Sequence, residues 1–203
     1  HKTGGIVLVS REVIADSSTN IESYVTDKMV KGLSKTESLA FMSGDGVKKP
    51  TGITTTATVG VTSLSATAIL VSELTSMKYS VKRAYRKKAK WLISDAFAKA
   101  IENLVDGNGT KIWQPSIVEG TPDMLLGHPV DYDDNLGGVT AGEIPAMFGD
   151  FSYYNIGDRG DIYIQVLREK YADKGAIGIL VDKRTDGKLL DTNAVKTFKM
   201  AAS

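Results

Sequence analysis

Two histidines, His1 and His128, and no cysteine bound the chemistry that this 203-residue chain can carry. Without cysteine there is no disulfide, no thiolate metal site and no thiol nucleophile. A serine triad would have to take its base from His128, which directly precedes Pro129 in a predicted strand. A general base needs a nucleophile on one side and an orienting group on the other, and the sequence supplies neither beside it. His128 is read as a turn or strand histidine.

The run from Gly44 through Asp45, Gly46, Val47, Lys48, Lys49, Pro50 and Thr51 to Gly52 has the composition of a phosphate loop. Such a loop needs a closing Gly-Lys-Ser/Thr and a preceding strand; the triplet is missing here and a helix precedes, so helix termination is the better account. Asp106, Asn108 and Thr110 have the alternate spacing of the first ligands of a calcium loop. Lys111 stands at the glycine position, however, and Ile117 stands where a bidentate Glu should close the cage. No catalytic, cofactor-binding or metal-ligating residue is assigned, no cofactor is expected, and the chain is not read as an enzyme.

Lys82, Arg83, Arg86, Lys87, Lys88 and Lys90 form the one concentrated charge run. On a nucleic-acid-binding module such residues would contact phosphates with a steep salt dependence. Near a helix end they more often form a solvated face that complements the helix dipole, and the chain as a whole, with 25 basic against 24 acidic side chains, has no basic excess. Asp131, Asp133, Asp134 and Asp150 are read as turn formers; a hydrolase would need two of them paired.

These residues are carried by a mixed set of elements. A strand is predicted over Ile6 to Val9. Ile21, Val25, Met29 and Leu33 then recur every four residues, with Ala40 extending the stripe and Glu22, Asp27, Lys28, Lys31 and Lys35 on other faces, which predicts a helix from Asn20 to Ser43. At about 1.5 Å per residue it would be about 36 Å long, a strut rather than a core helix. Thr19 with Glu22 has the pattern of a capping box, and Gly44 is expected to close the last turn in a left-handed conformation.

Residues 51–67 hold nine serines and threonines with Gly52 and Gly60, and read as a connection. A second helix is expected from Ala68 to Arg86, a strand over Trp91 to Ser94, and a helix from Ala96 to Val105 ended by a turn at Asp106 to Gly109. Short strands follow: Met124 to Leu126, Pro145 to Phe148, Tyr153 to Ile156, Ile162 to Leu167, Gly175 to Val181 and Val195 to Met200. No repeat of fixed period is visible, so the class is α+β.

An apolar fraction of 42% in a chain of this length is enough to bury about 70% of the unfolded surface. No apolar run approaches the roughly 18 residues needed to cross a bilayer, so a soluble protein and no membrane partner are expected. There is no secretory leader pattern. The text starts at His1 without a methionine, and the expectation is that part of the natural chain precedes it.

The order of these segments resembles the major capsid proteins of tailed bacteriophages, of the Hong Kong 97 type. VSREVIADSSTNIESYVTDKMVKGLSKTESLAFMSGDG followed by KPTGI looks like their strand, spine helix and Gly-Asp-Gly turn. KWLISDAFAKAIENLVDGNGTKIWQP, LLGHPVDYDD and MFGDFSYYNIGDRGDIYI resemble their axial-domain helices and strands. GAIGILVDKRTDGKLLDTNAVKTFKM resembles their closing strands, with a turn at Arg184 to Gly187.

The resemblance implies a discontinuous peripheral domain (1–50 and 165–192, with the long helix and a long sheet) and an axial domain (51–164 and 193–203). It implies pentamers and hexamers of an icosahedral shell enclosing DNA, in a virion assembled in the bacterial host cytoplasm, with phage or prophage origin. Scaffold and portal proteins are the implied partners besides copies of the chain itself. It also implies an N-terminal arm and an extended loop before His1, so that a piece without them is expected to assemble poorly. An encapsulin-like cargo compartment is the alternative within the same architecture, distinguished by a cargo-peptide groove; a carboxylate hydrolase and a nucleic-acid-binding module are the alternatives outside it.

Overall fold

A computed structural model describes residues 1–16, 20–105, 111, 113, 115 and 122–202. The elements are β1 (Lys2–Ser10), α1 (Arg11–Asp16), α2 (Ile21–Ser43), α3 (Ile53–Thr56), β2 (Thr58–Thr62), α4 (Val71–Ser80), α5 (Arg83–Arg86), β3 (Lys90–Ile93), α6 (Asp95–Glu102), β4 (Met124–Leu125), β5 (His128–Tyr132), β6 (Ala146–Gly149), β7 (Tyr154–Asp158), β8 (Tyr163–Leu167), β9 (Ala176–Leu189) and β10 (Val195–Lys199). They fall into two compact units, one of His1–Gly52 with Ile156–Lys188 and one of Ile53–Asn155 with Leu189–Ser203. Among the described residues no helix is long and apolar enough to cross a membrane.

In the first unit the 14-residue β9 is the backbone of a four-stranded sheet, with β1 antiparallel along one side and β7 and β8 also paired to it. The 23-residue α2 covers part of one face. Its apolar stripe meets alternate residues of β9: Leu33 with Ile179 and Val181 forms the buried cluster, and Val9, Val25, Met29, Val30 and Ile162 pack around it. Asn20 caps the helix, its side-chain oxygen accepting from the Ser23 amide at 3.1 Å, which satisfies one otherwise unpaired donor of the first turn. Thr19, expected to do this, lies outside the described residues. Glu22 accepts instead from Arg168 at 3.0 Å.

Two expectations fail at the ends of these elements. Gly44 is extended (φ −62°, ψ 144°), not left-handed; glycine is needed because a Cβ there would stand 2.0 Å from the Pro50 carbonyl oxygen and 2.5 Å from that of Ala40. Arg184 to Gly187 form no turn but continue β9. Long-range partners occupy that backbone: Arg159 donates to the Arg184 carbonyl at 2.9 Å, Thr185 donates to His1 at 3.0 Å, and Thr51 donates to Gly187 at 3.0 Å. Tertiary pairing thus overrides the Asp-Gly turn preference.

The second unit is built on a six-stranded mixed sheet in the order β2-β10-β6-β3-β5-β4. Its core holds Met77, Val81, Trp91, Ile93, Phe97, Ile101, Phe148, Phe198 and Met200, all without solvent exposure. The indole N–H of Trp91 donates to the Leu125 carbonyl at 3.0 Å, so the buried ring leaves no polar atom unpaired. Ser94 caps α6, its hydroxyl accepting from Phe97.

The helix expected from Ala68 to Arg86 is two helices, because Val81 turns extended (φ −86°, ψ 130°) to bury its side chain in the core. Its carbonyl then accepts from the Arg86 guanidinium at 2.8 Å. The serine- and threonine-rich segment read as a connection contains α3 and the edge strand β2, which pairs in parallel with β10. The turn at Asp106 to Gly109 lies outside the described residues.

Candidate assembly surfaces

The residues whose types suggested chemistry are separated into structural duties. His128 begins β5, its Nδ1 3.2 Å from the Ala89 carbonyl and its ring edge-on to Phe148 at 5.0 Å. Burial pushes its pKa below the ordinary imidazole value, against a smaller opposite effect of the Ala89 carbonyl. Gly44 to Gly52 fold back on themselves through a Gly52 to Gly44 backbone bond of 2.8 Å, after a helix, and present no phosphate cradle. Asp106, Asn108, Thr110 and Ile117 lie outside the described residues; Lys111 pairs with Glu102 at 3.2 Å. Among the described residues no cluster of His, Cys, Asp or Glu could hold a metal ion.

The carboxylates are engaged one by one. Asp131 pairs with Lys90 at 3.1 Å, Asp133 accepts from the Asn135 backbone at 2.7 Å, and Asp150 accepts from the amide and hydroxyl of Ser152. Asp134 is exposed in the turn after β5. In the basic run, Arg86 stacks 4.7 Å from the centre of the Tyr79 ring while holding Val81, and Lys90 is paired; Lys82, Arg83, Lys87 and Lys88 are exposed. A charge cluster with part of its charge committed inside the unit is a structural face first.

The first unit also holds a partly buried ionic link that has no catalytic signature in the sequence. Lys183 on β9 lies 3.3 Å from Glu37 on α2 and 3.0 Å from Asp158 on β7. The Asp158 carboxylate, ahead of Glu37, holds the Lys183 ammonium above the ordinary lysine range. Glu37 breaks the apolar stripe of α2, and that interruption was its only sequence signal.

Part of the exposed surface is apolar. In the first unit Ile6, Leu8, Ile156, Tyr163 and Ile164 on the outer strands are all more than two-fifths exposed. In the second, exposed apolar side chains occur at both ends of the strand order, besides Tyr79, Val105 and Leu190 elsewhere. Leu64, 83% exposed, follows β2, with Val59 and Leu70 beside it; Met124, Leu126 and Tyr132 sit on β4, β5 and the turn joining them. Scattered exposed leucines need no explanation; those set on sheet edges suit contact with other chains.

Solved structures share this architecture over the whole chain. A structure described as "Capsid of empty GTA particle computed with C5 symmetry" is 26% identical, with a TM-score of 0.89 covering 100% of this chain and 74% of that one. The capsid of the native GTA particle gives the same identity and score and is covered over 73%. A Gordonia phage Cozz structure, 18% identical with a TM-score of 0.76 over 100% of this chain and 70% of its own, shares the fold. Among curated proteins nothing matches.

The class is therefore an α+β capsid fold of the Hong Kong 97 type. The profile of the phage capsid family matches residues 1–200, so the chain belongs to that family: a structural major capsid protein and a component of the virion.

Proposed function

We propose that copies of this chain assemble into pentamers and hexamers of an icosahedral shell that encloses DNA. The first unit acts as the peripheral domain and the second as the axial domain that crowds around the five-fold or six-fold axis. The observation that carries this reading is the agreement of the entire chain with a capsid solved under five-fold symmetry, joined to the apolar surfaces that a lone copy leaves in water. Scaffold and portal proteins, contact with DNA only through proximity, assembly in the bacterial cytoplasm and the absence of a catalytic step belong to the same proposal. The duties of the histidine and carboxylates inside the fold support that last part.

Negative-stain imaging of the full-length protein tests it. Closed shells of uniform diameter containing nucleic acid are expected when DNA packaging is reconstituted. Monomers under all conditions would overturn the reading, and shells filled with protein cargo would convert it to a storage compartment.

A further inference from the structure

A closed ring of identical copies uses a heterologous interface: two different patches of one chain, each meeting the other on the next copy. The second unit carries two such patches at opposite ends of its strand order. At one end, β2 is an edge strand, and no charged residue lies between Lys49 and Glu73. Edge strands of soluble proteins are normally protected by charge or proline; this one is not.

Beyond β2 the loop holding Leu64 is fixed from inside. The Glu73 carboxylate, itself buried, accepts from the Leu64 amide at 2.7 Å and the Leu70 amide at 2.9 Å, and lies 3.1 Å from the Ser63 hydroxyl. A buried carboxylate with its acceptor sites filled by one loop makes that loop rigid, and here it holds a leucine in water.

At the other end of the sheet, β4 and β5 are joined by the two-residue turn Leu126-Gly127, with φ of +50° and +81°. Such mirror-image hairpin turns favour Asn, Asp or Gly at the first position; a leucine there adopts a left-handed conformation that costs energy. The Leu126 carbonyl is pinned by the Lys78 ammonium at 2.8 Å, and the side chain stays 37% exposed. Both ends thus show one signature: a rigid mount holding an apolar side chain out of the core.

We infer that the Leu64 ledge of one copy seats against the Leu126 hairpin tip of the next, closing the capsomer ring through the second unit. This rests on the capsid reading above and adds to it which surfaces meet. The contact excludes water from two leucines and covers the unprotected β2 edge.

The test uses the full-length protein. Leu126→Asn suits the left-handed turn better than leucine, so its unfolding midpoint should equal or exceed that of the parent while the threshold concentration for assembly rises by about tenfold or more. Leu64→Asp, at a position 83% exposed, should fold normally and assemble no rings. Because each variant spoils a different partner, Leu64→Asp mixed with Leu126→Asp should recover one intact contact and stop at a heterodimer. These 203 residues hold no cysteine, so, with any cysteine outside them replaced, Leu64→Cys with Leu126→Cys should form disulfides between copies and in no other pairing. Parent-like assembly of both single variants, or a mixture that stays monomeric, would overturn the pairing while shells of the parent chain keep the capsid reading. Failure of the parent chain itself to form rings or shells would overturn both.

Discussion

In the second unit, Trp91, Phe97, Phe148 and Phe198 are completely withdrawn from solvent and meet in two pairs, Trp91 tilted against Phe148 and Phe97 edge-on to Phe198. In the first, the buried cluster is Leu33, Ile179 and Val181, while Ile6, Leu8 and Tyr163 on the same sheet stay in water. One unit stabilises itself by packing. The other is a long sheet with a helix laid along part of one face, and its remaining apolar surface suits contact with other chains. Capsid subunits need both: a body that is stable before assembly and surfaces that become buried only in the shell.

The largest expected effect follows from that contrast. Trp91→Ala should cost about 3–5 kcal/mol and unfold the second unit, whereas Leu33→Ala should cost about 2–3 kcal/mol, because its site is smaller and collapses more easily. Both tryptophans, Trp91 and Trp113, lie in the second unit, so fluorescence reports that unit alone and far-ultraviolet circular dichroism reports both. Leu33→Ala should move the circular dichroism transition more than the fluorescence transition. Equal shifts would break the comparison by showing that the two units unfold as one.

Lys183 sharpens it. Lys183→Met strands Glu37 in a nearly closed site, and one of its oxygens already lacks a hydrogen-bond partner among the described residues. A cost of about 1–3 kcal/mol is expected, below that of a fully buried pair because Asp158 is half solvated. The combined Lys183→Met and Glu37→Leu variant should recover much of the loss, since the buried Glu37 charge is then gone and the carboxylate left without its lysine, Asp158, is half solvated. The folded pKa of Lys183 lies above its unfolded value, so its contribution is complete below the ordinary lysine pKa and is lost only as pH rises through the raised value. Chemical unfolding of parent and variant at neutral and alkaline pH checks both statements: their difference should shrink only in strongly alkaline solution.

The repeat of Ile21, Val25, Met29 and Leu33 made α2 legible within a residue of its observed start, because a helix with one packed side writes its period into the chain. Local preference misled wherever long-range pairing decided the outcome. Asp186-Gly187 reads as a turn, yet β9 runs through it; the threonines around Val59 read as a connection, yet β10 recruits them as an edge strand. Val81 broke an otherwise continuous helical pattern because burial outweighed helix continuity. The assembly surfaces were the least legible. Exposure is not written in residue type, and a left-handed Leu126 contradicts the residue preferences on which sequence reading depends.

The smallest expected effect concerns His128, at the junction of β3, β5 and the Phe148 ring. The 3.2 Å contact with the Ala89 carbonyl suits a neutral ring that carries its proton on Nδ1, and burial disfavours the imidazolium. With the folded pKa below the unfolded value of about 6.5, its contribution to stability is present above that value and lost as pH falls through the folded one. The second unit should therefore lose stability on acidification from about pH 7 to pH 5, and His128→Phe should reduce that slope by the histidine's share while carboxylate titration at lower pH remains. The midpoint of tryptophan fluorescence against denaturant, taken across that range, reads the slope directly. Identical slopes in parent and variant would mean that the acid sensitivity of this unit resides in its carboxylates, with the histidine as solvated in effect as any surface imidazole.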